Sequence, residues 1–509
     1  MTPRLLVSAM RPLSTEEGIW PSILANVSNE RCSVEIVIAS ENDHREAREL
    51  FPESTIWSSG FLGFRQPFGS VSLTSVKTLS SIARHPSFSR LKLHVLNMLN
   101  RHDTTGAFRL VDREAFFYEA FFGVGGLLIE KKISHVIFDV TPHVVLEFIV
   151  FWLAKKLAID VVFLQPIPVA GLSVPRCDVD RKFVSHDDNA GVGAGPAGSS
   201  AFFREQLDSF IDRLAGGSAV WVQRFLGPEI KKLESSRLQI VAKVRRFINL
   251  ADNPNSAGIP GISVLPTKFS GLLQSILVWA HRKSFQLTRE SNSSQNIPTE
   301  PFLLYAMTHE PERTFFPEGL PWDSQLEVIA HLAALKNDGV NIVVKEHETQ
   351  YAPGRLGYGS RSSHFYRVVE EISNVQVISS KVPAQSLLLA SDGVVSATGT
   401  ICVEAALLGK PAYYYGNPWW EGFPGTVKVS QSDFDAGAFP ACPGFSTDSY
   451  EVWANTLIAG SVVSTANVGL ENFEGKFTAL PGGYASIEKD ALASMIENFL
   501  FNRGAAHHV

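Results

Sequence analysis

Short apolar runs punctuate the first third of the chain: LLVSAM near the start, then VEIVIAS, with a helix-period stretch over Ile19–Val27 between them and a charged one from Asp43 to Leu50 after them. Strands alternating with helices predict a parallel sheet covered on its faces. The pattern loosens from Phe61 to Arg113, where an apolar-basic helix around Leu91–Arg101 has no evident place in a sheet. It returns with a strand His135–Asp139, Thr141-Pro142-His143 at a helix start, an apolar helix to Leu157 and a strand Val161–Leu164. Proline suits a helix start because its missing N–H would be unpaired there. Asp139, Thr141 and His143 then stand at the carboxyl end of a strand, where open α/β sheets bind ligands, with Glu147 one turn beyond.

DDNAGVGAGPAGSS, ending at Ser200, has loop composition, and the stretch from Phe202 to Arg289 reads as mostly helical. Two basic amphipathic segments lie in it, carrying Lys231, Lys232, Arg237, Lys243, Arg245, Arg246, Arg282 and Lys283. They read first as solvated faces packed on the domain before them; the alternative is peripheral contact with anionic lipid. Glu290–Pro301 is the clearest linker. Strand and helix alternation then restarts with FLLYAM, a helix Gln325–Asn337, NIVVKEH, a helix Phe365–Ile372 and VQVIS. The expected organisation is an N-terminal Rossmann-like domain over 1–200, a helical segment and linker over 201–295, a second Rossmann-like domain over 296–480, and a C-terminal helix in 481–509 that crosses back to the first.

The richest stretch runs from Ala384 to Gly425. It predicts a helix, a strand Asp392–Ser396, a tight loop, a helix from Ile401 to Leu408 and a strand Ala412–Tyr415. Ser396, Thr398, Gly399 and Thr400 line the strand-to-helix loop, where small hydroxyl side chains, a glycine and free backbone N–H groups suit a phosphate. An ordinary turn capped by Thr400 explains the same residues. Two further strand exits should converge on it: Thr308-His309-Glu310-Pro311-Glu312-Arg313 and Lys345-Glu346-His347-Glu348. Arg313 could fork a phosphate and His347 donate to a departing phosphate oxygen. Glu404, one turn after Thr400, lies outside a capping box and could accept from both hydroxyls of a ribose. Each has a plainer explanation: histidines satisfied by backbone, glutamates at the surface, Lys345 paired with Glu346 or Glu348.

A chain of 509 residues with 45% hydrophobic content and a formal charge of −6 fits a multidomain globular protein and gives nucleic-acid binding no support. Cys32, Cys177, Cys402 and Cys442 lack metal-site spacing and suit a reducing cytoplasm. The N-terminus reads as a first strand rather than a signal peptide, and no apolar segment approaches the roughly 20 residues that span a bilayer. A cytoplasmic protein is therefore expected, with the inner-membrane surface as its alternative location.

YAMTHEPERTFFPEG with a following DSQ, then VVKEHE, FYRVVEEISNVQVIS and SATGTICVEAALLGKPAYYYGNPWWEGFPG resemble the capsule-polysaccharide-biosynthesis family of bacterial glycosyltransferase-like proteins, related to the capsule Kdo transferases. Pro142-His143 and LAKKLAIDVVFLQ resemble the same family's first domain. The resemblance is strong from Leu303 to Val429 and weak before Arg176. It implies a GT-B fold of two facing Rossmann-like domains and a metal-independent glycosyltransferase. The implied donor is a nucleotide-sugar, with a CMP-activated acidic sugar such as Kdo favoured over a UDP- or GDP-sugar. The implied acceptor is a glycan or glycolipid, and no cofactor is expected beyond the nucleotide-sugar co-substrate.

The family's pattern falls on Lys345 and His347, on Ser396 to Thr400 and on Glu404. With the strand-exit residues this gives a donor-binding set of His309, Glu312, Arg313, Lys345, His347, Ser396, Thr398, Gly399, Thr400 and Glu404. The family usually has proline where this chain has Glu348. The base expected from the first domain is Asp139, followed by Glu17 and then His143. Rival readings are a sugar-nucleotide epimerase, which would turn over a UDP-sugar without acceptor, and a non-catalytic assembly protein of a capsule pathway, which would hydrolyse no sugar nucleotide.

Overall fold

In the computed structural model the described residues are 2–9, 31–39, 43–58, 71–99, 110–167, 171–182, 199–216, 293–310, 313–335, 340–348, 350, 361–436, 439–463 and 484–501. Two of the expected site residues, Glu17 and Glu312, lie outside them, as do the helix expected at Ile19–Val27 and both basic segments between 217 and 292. The chain forms two compact units. The first comprises Met1–Leu96, Leu110–Phe210 and Ala454–Val509, and the second Asn97–Arg109 with Ile211–Trp453.

The first unit's strands are β1 (Arg4–Ala9), β2 (Ser33–Ala39), β3 (Thr55–Ser58), β4 (His135–Phe138), β5 (Asp160–Ile167), β6 (Leu172–Asp178) and β7 (Arg181–Lys182). The second unit holds β8 (Phe302–Ala306), β9 (Asn341–Lys345), β10 (Val375–Ile378), β11 (Gly393–Ser396), β12 (Ala412–Tyr414) and β13 (Thr426–Lys428), after which β14 (Val462–Val463) returns to the first. The first sheet is ordered β14-β6-β5-β4-β1-β2-β3, with β7 beside β6. Strands β1 to β5 pair in parallel, while β6, β7 and β14 run antiparallel to their neighbours.

The second sheet is ordered β10-β9-β8-β11-β12-β13 and is parallel throughout. Counted from β8, that is the doubly-wound order 3-2-1-4-5-6, and β1 to β5 repeat its first five places. Both units are thus Rossmann-like α/β folds. Each has a topological switch point where chain order reverses: β1 beside β4 in the first, β8 beside β11 in the second.

Alternation of side chains drives this layering. Leu5, Val7, Val37, Ile137, Val162 and Leu164 share a buried cluster with Leu492, Met495, Ile496 and Phe499 of the final helix Tyr484–Phe501. Burying such a row contributes about 1.5–3 kcal/mol per side chain, which fixes the helix on the sheet. The return begins at Ala454, earlier than the 481 read from the sequence, and Val462 registers against Ser173 of β6. Helix Ser199–Ala215 crosses the expected boundary at 200, because Phe203, Leu207 and Phe210 are all buried.

The region from 61 to 113 yields helices Leu73–Ile82 and Ser87–Met98, followed by Leu110–Glu130. That last helix contains Gly125 and Gly126, which serve close approach. A Cβ at Gly125 would lie 2.4 Å from Leu79, and one at Gly126 would lie 2.6 Å from Val71.

Candidate functional site

Strand β8 lies between β9 and β11, so the three exits singled out in the sequence are neighbours at one end of the second sheet. The β8 exit is Met307, Thr308, His309 and Glu310; the β9 exit is Glu346 and His347. His309 is buried and His347 half-buried, and their rings meet edge-to-face with centroids 5.9 Å apart.

Two glutamines fix the backbone on either side of His309. Gln325 Oε1 accepts from Thr308 N at 2.8 Å, and its Nε2 donates to Thr308 O at 2.8 Å. Gln350 does the same for Glu310, at 3.0 and 2.8 Å. A primary amide presents one donor and one acceptor side by side, which matches a single residue's N–H and C=O. Both glutamines are fully buried. Thr308 Oγ1, also buried, has no hydrogen-bond partner.

Below the histidines runs an ion network that sequence reasoning missed. Arg361, fully buried, donates through Nε to Glu346 Oε2 at 2.8 Å and through Nη1 to Glu310. Tyr366 donates to Glu346 as well, and Glu346 Oε1 accepts from the His347 N–H at 3.0 Å. Lys345 donates to Ser380 O at the β10 exit, at 2.7 Å. Arg361 lies in a stretch that reads as loop in sequence, which concealed it.

The β11 loop differs from a simple phosphate cradle. Ser396 Oγ donates to Ala306 O at 2.7 Å and accepts from Gly399 N at 3.2 Å, stapling β11 to β8 across the switch point. A Cβ on Gly399 would lie 2.7 Å from that oxygen, so the glycine serves the staple. Thr398 Oγ1 donates to Thr314 O, and Arg313 forms an ion pair with Glu318 at 3.2 Å. Ser396, Thr398, Arg313 and Lys345 therefore each have at least one protein partner. Thr400 occupies the N-cap position of helix Ile401–Leu407 without a side-chain capping bond, so capping does not explain its hydroxyl. Glu404, half-buried on that helix, has its carboxyl pushed up to about 7 by burial. The helix ends at Leu407, and Gly409, just past its C-cap Leu408, has a φ of +71° that favours glycine.

In the first unit, helix Val145–Lys156 begins three residues after Pro142, later than the sequence reading placed it. Asp139 is buried at the β4 exit, and His143 donates from Nδ1 to Thr141 O at 2.7 Å. Two Asp-x-Asp triplets occur, and both engage protein groups: Asp178 binds Lys155 and Arg181, Asp433 the Ser430 N–H, and Asp435 Gln431. Among the described residues no helix is long and apolar enough to cross a membrane.

Residues 319–452 match the family model described as "Capsule polysaccharide biosynthesis protein", which spans the exits of β9 and β11 and bears out the resemblance read there. No curated protein matches the chain. Among solved structures, the KpsC β-Kdo 2,7 transferase of Thermosulfurimonas dismutans aligns at 12% identity over 70% of this chain and 88% of its own, with a TM-score of 0.26. The β-Kdo 2,4 transferase of the same organism aligns at 12% identity over 65% and 79%, TM-score 0.26. UDP-GlcNAc 2-epimerase from Neisseria meningitidis aligns at 10% identity over 98% and 100%, TM-score 0.21.

Proposed function

We propose that this protein is a glycosyltransferase of bacterial surface-polysaccharide synthesis, with the nucleotide-sugar donor bound by the second unit at the exits of β8, β9 and β11. The observation that carries the reading is the His309–His347 pair, held on both flanks of His309 by buried amides at the sheet's switch point. Imidazole N–H groups and the hydroxyls of Thr308 and Thr400 are suited to phosphate oxygens, and fixed donors stabilise charge as it develops on a leaving nucleotide. Glu404, as carboxylate, accepts the two hydroxyls of a ribose. Ser396, Thr398, Arg313 and Lys345 also have protein partners that shape the loop.

In the first unit Asp139 takes the proton of the acceptor hydroxyl. The acceptor oxygen bonds to the anomeric carbon, and the bond from that carbon to the donor phosphate breaks, its electrons leaving with the nucleotide. A CMP-activated acidic sugar such as Kdo is the favoured donor.

The test is a thermal-shift panel of CMP, UDP, GDP and their sugars on the wild type and His309→Ala. One nucleotide series should raise the melting temperature, since a ligand of the native state stabilises by mass action, and His309→Ala should remove the shift. A panel with no shift, or a shift that His309→Ala leaves intact, refutes the reading. Asp139→Asn should retain the shift and lose transfer.

A further inference from the structure

Glu147 sits in the first turn of helix Val145–Lys156 with no solvent exposure. Ser8 of β1 ties it to the β4 exit: the Ser8 carbonyl accepts from Asp139 N at 3.1 Å, while its hydroxyl donates to Glu147 Oε1. Glu147 Oε2 is buried and has no hydrogen-bond partner. A carboxylate in that position would leave a charged oxygen unsatisfied inside the protein, whereas a neutral acid carries a proton there to donate.

We propose that Glu147 and Asp139 form an acid pair at the first unit's switch point that holds one proton at neutral pH. Glu147 keeps that proton as a positioning residue, and Asp139 stays ionised as the base. The inference rests on the reading of Asp139 given above.

The surroundings of Glu147 agree. Burial pushes its carboxyl up to about 8, the Ser8 hydroxyl opposes that rise, and the charge of Asp139 adds to it. His143, from the same exit, points Nδ1 at Thr141 O; His94 sets its ring against Phe148, 6.1 Å between centroids. The buried guanidinium of Arg176 is engaged by Gln165 at 2.6 Å and by Val179 O at 2.9 Å. The positions that helix Leu110–Glu130 buries are all apolar or glycine. Two carboxyls coupled in one buried site do not both ionise readily, and Glu147, whose Oε2 has no hydrogen bond to offset a charge, is the member that keeps the proton.

Infrared spectroscopy of protein labelled with carboxyl-13C glutamate tests the pair without any ligand. At pH 7 the wild type should show the C=O stretch of a protonated acid that Glu147→Gln lacks. That band should vanish as pH rises through about 8. Asp139→Asn should move the midpoint down, and Ser8→Ala should move it up. Absence of the band, or midpoints unmoved in both of those variants, overturns the proposal; Ser8→Ala keeps the test open if Glu147→Gln does not fold. A band that behaves as expected in a protein that binds no nucleotide would instead refute the transferase reading and leave the pair standing. Where transfer is measured, the pH–rate profile should fall near pH 8 in the wild type, and Glu147→Gln should lose that limb.

Discussion

Arg361→Met should be among the most damaging single substitutions in the second unit, and the loss can be worked from the ion network. Arg361 and Glu346 side chains are both 0% exposed and 2.8 Å apart, with Glu310 on the other guanidinium nitrogen. At an effective dielectric of about 20, unit charges about 4 Å apart attract by about 4 kcal/mol. Removing the cation also strands Glu346 in the interior, and breaking a buried pair from one side costs about 3–5 kcal/mol. Methionine retains much of the stem's volume, so packing loss adds little. Pairing the substitution with Glu346→Gln removes the stranded charge and should recover at least about 1 kcal/mol, since contacting residues couple. Urea unfolding followed by tryptophan fluorescence measures both variants, with the change in midpoint converted through the m-value. A cost for Arg361→Met below about 1 kcal/mol, or a double variant no better than the single, would refute the argument. Nucleotide binding should weaken with Arg361→Met, because Glu310 and Glu346 brace the backbone beside His309 and at His347.

Gln325→Leu and Gln350→Leu each orphan a backbone N–H and C=O, at about 1–3 kcal/mol per buried group, and should broaden the His309 imidazole resonance in NMR spectra; a sharp, unshifted resonance would show that the amides do not hold it. Donor affinity should fall as pH drops through about 7, because the Glu404 carboxylate is the form that accepts hydroxyls; Glu404→Gln should flatten calorimetric titrations made on either side of that pH. The stability linkage has the opposite sense. With the folded value raised above 4.5, the stability Glu404 lends is complete below 4.5 and lost as pH rises through about 7, which denaturation midpoints across that window would show. Gly125→Ala should destabilise the first unit by about 1–3 kcal/mol, with partial recovery when Leu79→Ala is added; additive losses would refute the close-packing account.

Periodicity made β4, β8, β9, β10 and β11 legible within a residue or so, whereas β3 and β13 had no strand read at them and β5 runs three residues beyond Leu164. Their exits were legible too, since a strand followed by a helix fixes which end faces a ligand. Sheet order was not, because nothing local says that β8 pairs with β11 across more than 80 residues of chain. The same limit hid what the side chains do. Ser396, Thr398 and Lys345 have the chemistry of phosphate ligands, yet their hydrogen bonds run to Ala306, Thr314 and Ser380, which only the folded chain brings near. Arg361 went unread for the complementary reason: its carboxylate partners, Glu310 and Glu346, lie 51 and 15 residues away.

The division between committed and uncommitted groups narrows the site further than residue type can. Buried polar atoms in folded proteins are nearly all hydrogen-bonded, and a buried group left open costs free energy that nothing in the fold returns. Around the β8, β9 and β11 exits most candidates satisfy one another: serine with backbone, arginine with glutamate, glutamine with peptide. Thr308 Oγ1 is one buried atom that stays open there, as Glu147 Oε2 is one in the first unit. The first follows β8 and the second stands in the first turn of the helix after β4, and each of those strands borders a topological switch point. An open hydroxyl on the exit that carries His309 suits an anionic ligand, and an open carboxyl oxygen coupled to a second carboxylate suits a proton. If the two openings were packing accidents, Thr308→Val and Glu147→Gln would each raise stability by removing an unsatisfied atom and leave ligand response and pH dependence unchanged. If they are functional, each substitution should raise stability while diminishing one of those responses: nucleotide shift for Thr308→Val, titration near pH 8 for Glu147→Gln.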